Sequence, residues 1–258
     1  MNEFWSRRTC VILTGASKGI GQELAVEISR LLIPDSAMVL IARSTVGLEN
    51  TKYMVNKENK DIFVEYYSVD LYNSNALMFE KILEPIDQLK YELYLLIHNA
   101  GSVGNLDHLA ADMNDPDEWN RYMSLNLYSV ACLTSVFLAK FNTKKTEKCI
   151  VNITSLFGIE AKQSVGYYCV GKASREMYFR VLAKENPTLN ILSYSPGPIL
   201  TDMTMQISAN CKDQKLREEY KIIRERDWVK VEDTCKKLVN VLAMRNYQTG
   251  SRIDYYDV

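Results

Sequence analysis

The 258-residue chain has 47% hydrophobic and 24% charged residues and a formal net charge of −1. That balance suits a globular core and gives no electrostatic case for nucleic acid or a membrane surface. Its six cysteines are scattered without a CxxC pair, and its two histidines, His98 and His108, form no cluster with them. Zinc and a disulfide framework are therefore not expected, and reduced thiols in a cytoplasmic setting are. The opening MNEFWSRRTCVIL lacks a signal-like apolar run, and no stretch is read as reaching the ~20 apolar residues of a membrane span, so a soluble chain is expected.

Taken in chain order, short apolar runs stand at TCVIL (9–13), AMVLI (37–41), IFVEYY (62–67), LYLLI (93–97), CIVNI (149–153) and NILSYS (190–195). Each reads as a strand buried on both faces. Between them lie amphipathic stretches. In GQELAVEISRLL (21–32), Leu24, Ala25, Ile28, Leu31 and Leu32 make one helical stripe. The alternation predicts an α/β fold, with a single doubly wound parallel sheet of about seven strands and helices on both faces. No repeat or linker-like shift divides residues 1–258, so one domain is expected. The polar segment 197–230 is the least regular and reads as a mobile lid over the site.

The first strand runs through TGASKGIG (14–21) into the first helix. Gly15 permits a tight turn, Gly19 lets the backbone approach a pyrophosphate, and Gly21 allows close packing. The helix N-terminus offers free N–H groups to phosphate. This predicts a dinucleotide in a Rossmann-type fold. Strand two ends in LIAR, with Ala42 and Arg43 where an NAD site would place an acid. Arg43 and Lys18 together favour the extra phosphate of NADP(H). Asp70, in VDL, is placed to accept from the adenine amino group or to cap a helix.

LIHNAG (96–101) ends strand four and VNITS (151–155) ends strand five; YYCVGK follows at 167–172. Tyr168 and Lys172 are four apart and share a helix face, whereas Tyr167 is rotated off it. A free phenol donates a proton reluctantly at pH 7, and a neighbouring ammonium stabilises its phenolate. Ser155 would hold the substrate oxygen by hydrogen bond. Ser155, Tyr168 and Lys172 are thus the candidate catalytic residues for hydride transfer to a ketone.

The glycine loop, HNAG, the strand-end serine and YCVGK, in this order, resemble the short-chain dehydrogenase/reductase family over essentially the whole chain. The resemblance implies Asn126 as a fourth residue, holding a water that links Lys172 to solvent. It implies cofactor contacts at Gly15, Ser17, Lys18, Gly19, Ile20, Gly21, Arg43, Ser44, Asp70, Leu71, Asn99, Lys172, Ile199, Thr201 and Met203. His98 replaces the asparagine common in the family, where a packing change is expected. YSPGPILTDM (194–203) looks like the turn beneath the nicotinamide, with Gly197 near substrate. A dimer through the helices after strands four and five is also implied, consistent with the apolar SVACLTSVFLAKF (129–141).

Within the family, ITSLFG, YYCVGKASREMYFRVLA, SYSPGPILTDM and the terminal GSRIDYYDV resemble members that reduce side-chain ketones of pterins with NADPH. In these a carboxylate near the C-terminus grips the amino-pyrimidinone edge, and Asp254 is the matching position. Substrate contacts are thus expected at Ser155, Tyr168, Gly197 and Asp254, with Asp257 on the opposite face of a final strand. One departure is AKQSVGYY, which lacks a tryptophan that vertebrate members carry before the tyrosine. Phe157 and Met203 are candidate pocket walls. A broader diketone or quinone reductase is the alternative, and an inactive nucleotide-binding regulator the non-enzymatic one.

Overall fold

The computed structural model describes residues 3–143, 146–226 and 228–257. Strands β1 (Thr9–Thr14), β2 (Ala37–Ala42), β3 (Phe63–Ser68), β4 (Leu93–His98), β5 (Glu147–Ile153), β6 (Asn190–Ser195) and β7 (Ser251–Asp254) form one sheet. Its order is β3-β2-β1-β4-β5-β6-β7, and every neighbouring pair is parallel. The direction of winding reverses between β1 and β4, which opens a crevice at the carboxyl ends of those strands, where doubly wound sheets take their ligands.

The helices are α1 (Gly19–Ser29), α2 (Thr45–Glu58), α3 (Ala76–Leu83), α4 (Pro116–Met123), α5 (Ser129–Lys140), α6 (Gly166–Glu185), α7 (Asp202–Asn210), α8 (Gln214–Arg226) and α9 (Val231–Met244). Alternate strand residues point to opposite layers. Val11, Leu13, Leu95 and Val151 meet Leu24, Leu48 and Leu238 of α1, α2 and α9. Ile12, Tyr94, Leu96 and Ile150 meet Phe79, Phe137 and Phe179 of α3, α5 and α6. Every residue of β1, β2 and β4 is buried, as the continuous apolar runs predict. β3 departs from that reading: as an edge strand it leaves Phe63 60% exposed.

The stripe read through Leu32 also overshoots. α1 stops at Ser29, so Leu31 falls outside it and is exposed while Leu32 stays in the core. The helical run Pro116–Lys140 is long and apolar enough to cross a membrane by length and composition, which corrects the sequence reading. Half of its most apolar window is buried inside the fold, where α5 supplies Leu133 and Phe137 to the core. That apolarity is what a helix packed on a sheet requires.

Segment 197–230 holds two helices rather than irregular coil. Thr201 and Thr204 close a capping box that starts α7, and Ile207, Cys211 and Leu216 pack with Val103, Val165 and Tyr168 in a third apolar cluster. The segment therefore packs against Val103, Val165 and Tyr168 beyond the carboxyl ends of the strands.

Candidate active site

The turn from β1 into α1 is built around two close approaches. Gly15 and Gly19 have φ of +69° and +57°. A β-carbon on Gly21 would collide with the Gly15 carbonyl and come within 2.6 Å of Asn99 Nδ2. Asn99 Nδ2 donates to the carbonyls of Thr14 and Gly15, each at 3.1 Å, and pins the turn to β4. A β-carbon on Gly19 would meet nothing within 4 Å, so the backbone is open on its outer side. The α1 N-terminus has no side-chain cap, leaving its first N–H groups available to an anion. These features fit a dinucleotide phosphate held by Gly15, Ser17, Gly19, Ile20 and Gly21. Asn99 positions the loop, and its amide donors face the loop backbone.

At the adenosine end, the residues predicted to touch cofactor divide. Arg43 is exposed, with its guanidinium 5.9 Å from the Tyr72 ring centroid. Lys18, also exposed, forms an ion pair with Asp202 at the start of α7, a partner that sequence reading did not foresee. Ser44 caps α2 through Gly47 N. Asp70 caps the turn at Leu71–Asn73, accepting from Tyr72 N at 3.2 Å and from Asn73 Nδ2, and its oxygens keep lone pairs for a further donor. Leu71 is buried in the core.

The catalytic candidates meet at the ends of β5 and α6. Ser155 starts a short helical turn, its hydroxyl accepting from Phe157 N at 3.3 Å. Tyr168 is buried at 8% exposure, with Phe157 edge-on at 6.3 Å. Tyr167 points elsewhere, donating to Glu118 Oε2 at 2.8 Å. Lys172 Nζ lies 5.5 Å from the Tyr168 ring centroid and donates to Ile153 O at 2.7 Å.

The charge arrangement differs from expectation. Burial, with the Arg175 charge adding to it, pushes Lys172 well below its ordinary value. Burial raises the Tyr168 phenol, while Ser155 and Arg175 pull it back. Desolvation outweighs the pull of Ser155 and Arg175, so Tyr168 is held as the protonated phenol, the form that can donate to a developing alkoxide. Sequence reading missed Arg175. It is fully buried, seven residues past Tyr168 and so on the same helix face. Its guanidinium donates to Asn152 Oδ1 at 2.9 Å, Ala100 O at 2.9 Å and His98 O at 2.7 Å. All three acceptors are neutral, and burial pushes its pKa down to about 10.

Asn126 sits in a π-helical turn, Ser124–Tyr128, between α4 and α5, a distortion frequent at functional sites. Its amide bonds backbone at both ends, accepting from Ser102 N at 3.0 Å and donating to Tyr122 O at 2.9 Å. His98 is a packing change: its Nε2 meets Thr134 Oγ1 at 2.9 Å, its ring lies 5.6 Å from Phe179, and burial holds it well below its usual pKa.

At the substrate end, Met203 and Phe157 pack against the cluster around Tyr168, while Ile199 is buried and pairs with Val229. A β-carbon on Gly197 would come within 3.3 Å of Tyr255 Cβ, so the residue that follows β7 closes on this turn. β7 ends at Asp254, which corrects the expectation that Asp254 and Asp257 alternate along one strand. The chain turns, and Asp257 Oδ2 accepts from Asp254 N at 2.8 Å. The Asp254 side chain is 18% exposed and pairs with Arg252 at 3.2 Å.

A doubly wound sheet with a glycine turn at its reversal point and Ser, Tyr and Lys at the next strand end defines an oxidoreductase of alcohol and ketone groups that uses a nicotinamide cofactor. Residues 9–212 match the family model described as short chain dehydrogenase, and the chain belongs to that family. Among its relatives are the sepiapterin reductases of Meriones unguiculatus, 35% identical over 95% of each chain, and of Mus musculus, 35% identical over 95% of this chain and 96% of that protein. A benzil reductase ((S)-benzoin forming) of Bacillus subtilis is 29% identical over 78% of this chain and 79% of its own. The fold matches a short chain dehydrogenase structure from Salmonella enterica serovar Typhi (TM-score 0.78, 21% identity, 98% of each chain). It also matches a putative 2-deoxy-d-gluconate 3-dehydrogenase from Agrobacterium tumefaciens with bound NADP (TM-score 0.77, 22% identity, 99% of this chain and 97% of that one).

Proposed function

We propose that this protein is an NADPH-dependent reductase of pterin side-chain ketones, acting as the sepiapterin reductases do. The observation that carries the reading is Asp254, a largely buried carboxylate presented at the same sheet end as Ser155. An ionised carboxylate is acceptor-only, which matches the adjacent N–H donors of an amino-pyrimidinone. Oδ2 bonds Arg252 and Oδ1 accepts from Tyr256 N at 3.3 Å, so each oxygen retains a lone pair for a ligand.

The reduced nicotinamide supplies the hydride. Tyr168 gives its proton to the ketone oxygen, and Ser155 hydrogen-bonds that oxygen as charge develops. Arg175 holds positive charge behind the phenol, and Lys172 stands beside its ring. α7 and α8 exclude water, which strengthens each of these interactions. Gly15, Ser17, Gly19, Ile20 and Gly21 would hold the phosphates, and Ile199, Thr201 and Met203 would line the nicotinamide side. Arg43 and Lys18 would hold the additional phosphate of NADPH, for which Lys18 would share or leave Asp202, an exposed pair of small strength.

The similarity to benzil reductases and the apolar cover of Met203, Phe157 and Ile207 favour a second reading, a broader diketone reductase. NADPH consumption with sepiapterin and with a simple diketone, run side by side, separates the two. A kcat/KM for sepiapterin below that for the diketone would refute the pterin reading. We place the enzyme in the cytoplasm as a homodimer. Tyr128, Val170, Met177 and Val181, all exposed on the α5–α6 side, supply an apolar face for the second copy.

A further inference from the structure

Arg252 stands two residues before Asp254 on β7 and therefore shares its face. Its side chain is 17% exposed and makes three contacts. Nη2 donates to Asp254 Oδ2 at 3.2 Å. Nη1 donates to Glu176 Oε1 at 3.0 Å and to the Ser155 carbonyl at 3.3 Å. Glu176, one turn beyond Lys172 on α6, is itself buried and accepts from Thr154 Oγ1 at 2.5 Å.

One planar guanidinium thus joins the C-terminal carboxylate to the backbone of the candidate catalytic serine and to the catalytic helix. Arg suits this place because its donors are fixed in a fork, which a lysine ammonium cannot reproduce. It also offsets two carboxylates, Glu176 and Asp254, that would otherwise repel across a partly buried site.

We propose that Arg252 is a positioning residue for substrate selection: it sets the spacing and direction of Asp254 relative to Ser155, and so the distance between the ketone and the amino-pyrimidinone edge that the site accepts. This rests on the reading of Asp254 as the pterin anchor. A substrate that touches only Ser155 and Tyr168 is indifferent to that spacing, whereas one that must touch both ends is not. Loss of Arg252 therefore acts on the ratio of two substrates.

The test compares kcat and KM for sepiapterin and a small diketone in the wild type, Arg252→Gln, Arg252→Lys, Asp254→Asn and Arg252→Gln/Asp254→Asn. Arg252→Gln is expected to lower the sepiapterin-to-diketone ratio of kcat/KM by about tenfold or more, the scale of one lost charged hydrogen bond. Arg252→Lys should recover part of that ratio. In the Asp254→Asn background the Arg252 change should add little, because the two residues act as one unit. Equal losses on both substrates, or additive losses in the double variant, would show a purely structural role and overturn the proposal. If Asp254→Asn alone leaves the ratio unchanged, the anchor reading fails and this inference falls with it. Diketone turnover reports that each variant is folded; should Arg252→Gln not fold, an unchanged ratio in Arg252→Lys overturns the proposal.

Discussion

Arg175 offers the sharpest quantitative prediction. A fully buried guanidinium bonded only to neutral acceptors is costly to place and costly to remove. Arg175→Met would leave Asn152 Oδ1 and the His98 and Ala100 carbonyls without those donors. We predict a loss of about 1–3 kcal/mol of stability for each buried acceptor left unsatisfied, offset in part by the desolvation cost of the guanidinium that is no longer incurred. Arg175→Lys keeps the charge but lacks the fork, and should lose roughly 1–3 kcal/mol. Denaturant unfolding measures both. The same residue also acts on the chemistry. Arg175 favours the Tyr168 phenolate, so neutralising it raises the phenol further. Reduction needs the protonated phenol, so the alkaline limb of kcat/KM should move to higher pH in Arg175→Met and stay closer to wild type in Arg175→Lys. Unfolding of Arg175→Met within about 0.5 kcal/mol of wild type, the scale of an inconsequential substitution, would refute the stability reasoning. A limb moving to lower pH would refute the charge role.

Three further outcomes are expected. Gly21→Ala forces a β-carbon onto the Gly15 carbonyl and Asn99, so it should cost about 1–3 kcal/mol and raise the KM for cofactor more than that for ketone; an unchanged cofactor KM would show that the turn does not hold phosphate. Lys172 is held well below its ordinary value by burial and Arg175, so between that lowered value and about 10.4 the unfolded chain binds more protons than the folded one. Stability of the cofactor-free protein should therefore rise with pH through this window up to about pH 10, and the rise should flatten in Lys172→Met; identical slopes would place Lys172 in a more hydrated setting. Arg43→Ala should lower the preference for NADPH over NADH by about tenfold, one charged contact to phosphate, and an unaltered preference in paired cofactor assays would remove Arg43 from the nucleotide site.

The parallel strands were legible because their residues are apolar at almost every position, a pattern that burial on both faces demands. The convergence of Ser155, Tyr168 and Lys172 was legible because a strand end and a four-residue helical spacing place them by local geometry. Arg175 carried a usable signal as well, since it continues the Tyr168 face of α6, but a cation in that stripe reads as a surface residue until the helix is seen to be buried. The Arg252, Glu176 and Asp254 assembly was not legible. It exists only because β7 pairs with β6 beside α6, a juxtaposition between residues 76 apart in Arg252 and Glu176. The Lys18–Asp202 pair likewise joins residues 184 apart. Asp257 was misplaced because the final strand was read past Asp254, where the chain turns back through its own side-chain hydrogen bond.

The central claim, that Asp254 makes a general ketone-reducing site selective for pterins, is tested most directly by one comparison. Steady-state kcat/KM is measured for sepiapterin and for a diketone, with NADPH, in the wild type and in Asp254→Asn. The account predicts that the variant loses sepiapterin reduction at least tenfold more than diketone reduction, consistent with a lost charged hydrogen-bond pair. Equal losses for the two substrates would contradict it.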